Sequence, residues 1–228
     1  MKNLVLLPAM LCDEELYADQ IGRLGGLVGS SVAIATKSSM AENAAAVLRS
    51  APARFILAGT SYGASLALEI VATAPARVAG LWLMGCNPGR PRDALGATRL
   101  SERVRAGEFD TVVEELARRT VYAHGPHASA AGALFRRMAH RMGAEVFLNQ
   151  NQSLLGRRDL RSQLSDIECP TFLLWGRQDE FAPVAHGSFM ASRIRQASFL
   201  VLDDCGHLPT IEKPDAVTDA VRAWLKAV

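Results

Sequence analysis

Short, nearly unbroken apolar runs punctuate the chain at residues 3–7, 32–35, 54–58, 79–84, 171–175 and 198–202. They lack the every-second-residue polarity of a sheet with one wet face, so they predict strands covered on both sides, as in a parallel sheet. Between them the apolar spacing becomes helical. Ser39-Met40-Ala41-Glu42 has the form of a capping box ahead of Ala44, Val47 and Leu48. Leu66, Ala67, Ile70, Val71 and Ala74 share one helical face, and Val217, Val221, Trp224 and Leu225 share another. Alternating strands and helices predict right-handed crossovers and an α/β fold, with a mostly parallel sheet of about six strands and helices on both faces.

The alternation stops over residues 87–165. Phe109, Val112, Val113 and Leu116 keep helical spacing, as do Leu134, Met138 and Met142, and residues 146–155 also read as helix. The reading is therefore a core domain made of residues 1–86 and 166–228, interrupted by a helical cap at 87–165. Thirteen arginines against eight carboxylates concentrate positive charge in that insertion. Solvated helix faces account for most such patterns; attraction of an anionic substrate or partner is the alternative.

Composition narrows the class. With 228 residues, 49% hydrophobic content and a net charge of +2, the chain suits a globular domain and lacks the basic face of a nucleic-acid module. The run Leu4-Val5-Leu6-Leu7 ahead of Cys12 superficially resembles an export signal, but Pro8 breaks it and Leu11 is too bulky before a processed cysteine, so a buried strand is expected. The sequence offers no membrane span. Cys12, Cys86, Cys169 and Cys205 are scattered without metal-ligand spacing, which predicts reduced thiols, a cytoplasmic location and no metal.

The candidate chemistry centres on Gly59-Thr60-Ser61-Tyr62-Gly63, between a predicted strand and a predicted helix. A turn this tight strains the central residue and crowds the two flanking positions until little beyond glycine fits. Ser61 then projects above the carboxyl end of the sheet, where it needs a base to become a nucleophile. Of the five histidines, His124, His127, His140 and His186 fall in the insertion or in a predicted helix, whereas His207 stands in a loop just past the last strand, on the same sheet edge as Ser61. An acid ending another strand on that edge would orient the imidazole, and Trp175-Gly176-Arg177-Gln178-Asp179 supplies Asp179. Glu180 is expected to point elsewhere, and Asp203 and Asp204 read as turn formers.

The order Ser61, Asp179, His207, each after a strand, resembles the α/β-hydrolase fold superfamily, as do Leu-Leu-Trp-Gly-Arg-Gln-Asp from Leu173 and Gly206-His207 followed by Glu212 and Pro214. The resemblance covers nearly the whole chain, which begins at the first long strand. It implies a serine hydrolase that cleaves esters of small carboxylic acids through a Ser-His-Asp triad and an acyl-enzyme, with no cofactor and no nucleic-acid or membrane partner. Where small esterases of the superfamily carry His-Gly after the first strand, this chain has Pro8-Ala9, followed by Met10, with Tyr17 at the aromatic position seven residues on. The resemblance thus implies an oxyanion hole from the N–H groups of Met10 and Tyr62. The same triad serves carbon–carbon bond hydrolases and thioesterases, and a hydrolase pocket can persist in a non-catalytic receptor.

Overall fold

The computed structural model describes residues 2–228; Met1 lies outside the described residues. The strands are β1 (Lys2–Leu7), β2 (Val28–Val32), β3 (Phe55–Thr60), β4 (Val78–Met84), β5 (Thr171–Gly176) and β6 (Ala197–Leu202). They form one six-stranded sheet in the order β2-β1-β3-β4-β5-β6, with every neighbouring pair parallel. The helices are α1 (Ala18–Leu24), α2 (Met40–Ser50), α3 (Tyr62–Thr73), α4 (Ala94–Arg105), α5 (Phe109–Thr120), α6 (Ala128–Leu155), α7 (Val184–Ala191), α8 (Pro209–Glu212) and α9 (Pro214–Leu225).

The apolar runs are unbroken because each central strand feeds two cores in alternation. Leu4, Leu6, Ile56, Ala58, Trp82 and Met84 enter one, which α1 and α9 close through Leu24, Val217 and Val221. Val5, Leu7, Phe55, Leu57, Leu81 and Leu83 enter the other, which α2, α3 and α7 close through Ala44, Val47, Leu66, Ile70 and Met190. Burying a side chain of this size contributes about 1.5–3 kcal/mol, which places the wholly buried β3 and β5 inside the sheet and not at its edges.

The second strand differs from the sequence reading. The expected run was 32–35, but Val28–Val32 pairs with β1, from Lys2↔Val28 to Leu6↔Val32. This is an edge strand, half-exposed along most of its length, so Gly29, Ser30 and Ser31 serve where a central strand would demand apolar residues. The more hydrophobic Ile34 is left 39% exposed beyond the strand's end.

Two further features position the site. Chain order reverses around β1, so the loops leaving β1 and β3 flank a crevice at the carboxyl edge of the sheet. Helices α4, α5 and α6 fill the connection between β4 and β5, and Gly143, at φ 79° and ψ 170°, divides α6 into two helical stretches. Among the described residues, no helix is long and apolar enough to cross a membrane.

Candidate active site

Ser61 occupies a strained turn between β3 and α3, at φ 55° and ψ −110°, a conformation that costs of order 1–3 kcal/mol and persists only where its surroundings enforce it. Enforcement is visible on both sides. The Ser61 N–H donates to Met84 O at 2.8 Å, and Ser65 N–H donates to Ser61 O at 3.0 Å. A Cβ on Gly59 would lie 2.4 Å from Gly63 O, and one on Gly63 would lie 2.0 Å from Leu7 O. Both glycines are thus required by close backbone approach.

The three residues singled out from sequence come together. His207 Nδ1 lies 2.7 Å from Asp179 Oδ2, and His207 Nε2 lies 2.7 Å from Ser61 Oγ. An ionised carboxylate only accepts, so Nδ1 carries the proton, and the Nε2 lone pair faces the Ser61 hydroxyl. The other Asp179 oxygen accepts from Phe181 N and Ala182 N at 2.9 and 2.8 Å, which fixes the carboxylate. Asp179 and His207 are both buried. The Phe181 ring packs 5.1 Å from the imidazole, between centroids.

The neighbouring acids lie elsewhere. Glu180 is 61% exposed and pairs with Arg119 at 3.6 Å, Asp203 pairs with Arg177, and Asp204 sits at φ 51° in a turn. Of the other histidines, His140 faces Asp110 at 3.5 Å, His124 packs edge-on to Tyr122, His127 precedes α6, and His186 is half-buried on α7. The Cys86 thiol, which lines the same cavity as Ser61 and His207, is pushed up to about 12 by burial, so it stays protonated.

After β1 the chain forms a tight turn. Cys12 N–H donates to Ala9 O at 3.0 Å, and Leu11, the turn's third residue, has φ 60°. Such a turn ordinarily takes glycine there; here the Leu11 side chain is fully buried and its N–H donates to Gln150 Oε1 at 2.9 Å. Met10 and Tyr62 line the same cavity as Ser61, and neither of their N–H groups has an acceptor among the described residues. Tyr17 ties the two flanking strand ends together, since its hydroxyl donates to Leu7 O at 3.0 Å and lies 2.7 Å from Thr60 Oγ1.

Sequence reasoning gave no role to the groups that hold the histidine loop. Buried Glu212 accepts at Oε2 from Tyr122 N (2.9 Å) and Gly206 N (2.8 Å), and at Oε1 from Leu208 N (2.9 Å). Burial raises its pKa against the pull of those donors. His207 N–H itself donates to Thr120 O at 2.9 Å, at the end of α5. The residues between β4 and β5 therefore brace the histidine. The available signal was a glutamate closely following Gly206-His207, which would lie buried if that loop were.

A cavity of about 760 Å³ opens onto Ser61 and His207. Phe135, Phe147 and Leu155 line it, whereas Phe109, Leu134 and Met138 do not; fully buried Met138 packs with Val112, Val113 and Ala139. Among the described residues, no cluster of three or more His, Cys, Asp or Glu side chains could hold a metal ion.

The sequence pattern of the alpha/beta hydrolase family matches residues 16–220. A pimeloyl-(acyl-carrier protein) methyl ester esterase from Aromatoleum aromaticum is 27% identical over 202 residues, covering 78% of either chain. A 2-hydroxy-6-oxononadienedioate/2-hydroxy-6-oxononatrienedioate hydrolase from Pseudomonas putida is 26% identical over 164 residues, covering 68% of this chain and 56% of that protein. In solved structures the fold recurs in a thermophilic esterase from Thermogutta terrifontis, with a TM-score of 0.89 and 24% identity, across 100% of this chain and 90% of that one.

Proposed function

The chain belongs to the alpha/beta hydrolase family, and from that premise we propose that it hydrolyses esters of small carboxylic acids through an acyl-enzyme on Ser61. The observation that carries this reading is the relay in which the partly buried Ser61 Oγ and the buried His207 and Asp179 are joined by two contacts of 2.7 Å. As Ser61 Oγ bonds to the ester carbonyl carbon, its proton passes to His207 Nε2, and Asp179 stabilises the imidazolium. The tetrahedral oxyanion is held by the N–H groups of Met10 and Tyr62, each free of an acceptor among the described residues. Collapse expels the alcohol, which takes the proton from Nε2. Water then repeats the sequence on the acyl-enzyme and releases the acid.

In this reading residues 87–165 are a helical cap on a core of 1–86 and 166–228, supported by the cavity wall that Leu100, Leu116, Phe135 and Phe147 contribute. Carbon–carbon and thioester cleavage would use the same relay. The ester is preferred because the methyl ester esterase matches over a larger share of both chains than the dienedioate hydrolase does.

The test is labelling with a fluorophosphonate, followed by kinetics of Ser61→Ala on short acyl esters. Label on Ser61 and a loss of about a thousandfold or more in turnover are expected. Label on another residue, or retained activity in the variant, would overturn the assignment.

A further inference from the structure

The positive charge of the cavity is unevenly neutralised. Five arginines line it against two carboxylates, Asp93 and Glu180. Arg103 is held by Glu108 and Glu115 and Arg119 by Glu180, while Asp93 Oδ1 accepts the Gly96 N–H at 2.7 Å. Arg92, Arg99 and Arg157 have no carboxylate partner among the described residues, and Arg92 and Arg99 are exposed to water. Arg157 is different. Of the arginines between 87 and 165 without a carboxylate partner, it alone is not exposed.

The Arg157 guanidinium is also oriented. Its Nε–H donates to Gly89 O at 2.8 Å, which anchors one edge of the plane and leaves both terminal nitrogens without a hydrogen-bond acceptor among the described residues. Arg157 lines the same cavity as Cys86, Ser61 and His207. Cys86 follows Gly85, where an added Cβ would lie 3.0 Å from both Asp179 Oδ2 and His207 Nδ1. His186 Nδ1 is buried without a partner among the described residues, and burial, with the charges of Arg92 and Arg157, lowers the imidazole pKa. The neighbouring Arg158 shows what the fold does with an arginine it neutralises itself, since its guanidinium meets both Glu69 oxygens at 2.9 and 3.1 Å. A partly buried cation left without such a partner is costly unless an anion from outside completes it.

We infer that Arg157, with the exposed Arg92, forms a carboxylate-binding subsite in the cavity that opens onto Ser61, and that the substrate is an ester carrying a second, ionised carboxyl group. This rests on the ester-hydrolase reading and narrows its substrate class. A planar guanidinium with two free terminal nitrogens suits a carboxylate, which accepts two parallel N–H bonds. The remaining wall, with Leu154 and Phe147, accommodates a short apolar spacer.

The experiment compares matched esters with and without the extra carboxylate. Monomethyl glutarate against methyl pentanoate places it on the acid side, and acetyl lactate against isopropyl acetate places it on the alcohol side. In the wild-type enzyme one pair should favour the anion in kcat/KM, and that preference ratio should fall about 30-fold in Arg157→Gln, the scale of a lost charge-assisted pair. Arg157→Lys, which keeps the charge without the fork, should retain an intermediate ratio and serves if the glutamine variant does not fold. Neutral esters cleaved as well as both anionic partners would overturn the subsite and leave the esterase reading standing. If no ester is turned over, that reading fails by itself, and calorimetry with glutarate still decides the subsite: binding that vanishes in Arg157→Gln supports it, and no binding to the wild type overturns it.

Discussion

The side-chain carbonyl of Gln150 accepts the N–H of Leu11 at 2.9 Å, and the Gln150 amide donates to Ala35 O at 2.9 Å. A residue of α6 thereby holds Leu11 in its left-handed conformation, one position past Met10. Gln150→Leu keeps the volume and leaves both backbone groups unpaired. Turnover should fall by about 10- to 100-fold, approaching the 10²–10³ lost with an oxyanion donor, while KM changes less. Steady-state kinetics read alongside thermal melting check this; full kcat with a lowered melting temperature would reduce Gln150 to a packing role.

Asp179→Asn should lower turnover by roughly four orders of magnitude, because an amide no longer enforces the tautomer in which Nε2 faces Ser61. Asp203→Asn and Asp204→Asn should stay within about tenfold. Asp203 makes an exposed pair with Arg177, and Asn tolerates the φ of 51° at position 204 as readily as Asp does. Kinetics of the three variants on one ester separate them.

Glu212→Gln tests the brace of the histidine loop. Its three donors, Tyr122, Gly206 and Leu208, meet both carboxylate oxygens, so either orientation of the amide sets an NH2 against a backbone N–H. A stability loss of about 1–3 kcal/mol is expected, with a fall in kcat that exceeds any rise in KM. Chemical denaturation gives the first quantity and steady-state kinetics the second.

Phe147 and Met138 are both fully buried on α6, yet only Phe147 lines the cavity. Phe147→Ala should shift preference towards longer acyl chains. Met138→Ala should cost about 2–5 kcal/mol of stability and leave the chain-length profile intact. A graded ester series and a melting curve for each variant distinguish the two.

His186 provides a pH signature. Burial first, and then the charge of Arg92, lower its folded pKa; Asp179 opposes them, and Arg157 adds a smaller lowering pull. The unfolded chain therefore binds a proton that the folded protein resists, so the His186 contribution is complete above the ordinary value of about 6.5 and is lost as pH falls below it. The melting temperature of His186→Asn should consequently change less than that of the wild type on acidification through that range.

The sequence alone determined the parallel sheet and pointed to the three side chains that meet at its carboxyl edge, Ser61, Asp179 and His207, because both follow from local rules. An unbroken apolar run must be covered on two faces, and a strand-to-helix turn as tight as Gly59-Thr60-Ser61-Tyr62-Gly63 exposes its serine whatever surrounds it. Asp179 and His207 were legible because parallel strands open on one edge, which brings residues after β5 and β6 to the end of β3. Local pattern misplaced β2, since an edge strand needs no continuous hydrophobicity and register is set by its neighbour. Only the tertiary structure decided that Gln150 reaches a backbone group 139 positions away, that Glu212 binds Tyr122 across 90, and that Phe147, not Met138, faces the cavity. Helical spacing says which residues share a face, but what that face meets depends on how α4, α5 and α6 pack over the sheet. The same holds for Arg157: one arginine among many in the sequence, it is distinguished by burial and by the carboxylate it lacks, which are properties of three-dimensional neighbours and not of chain order.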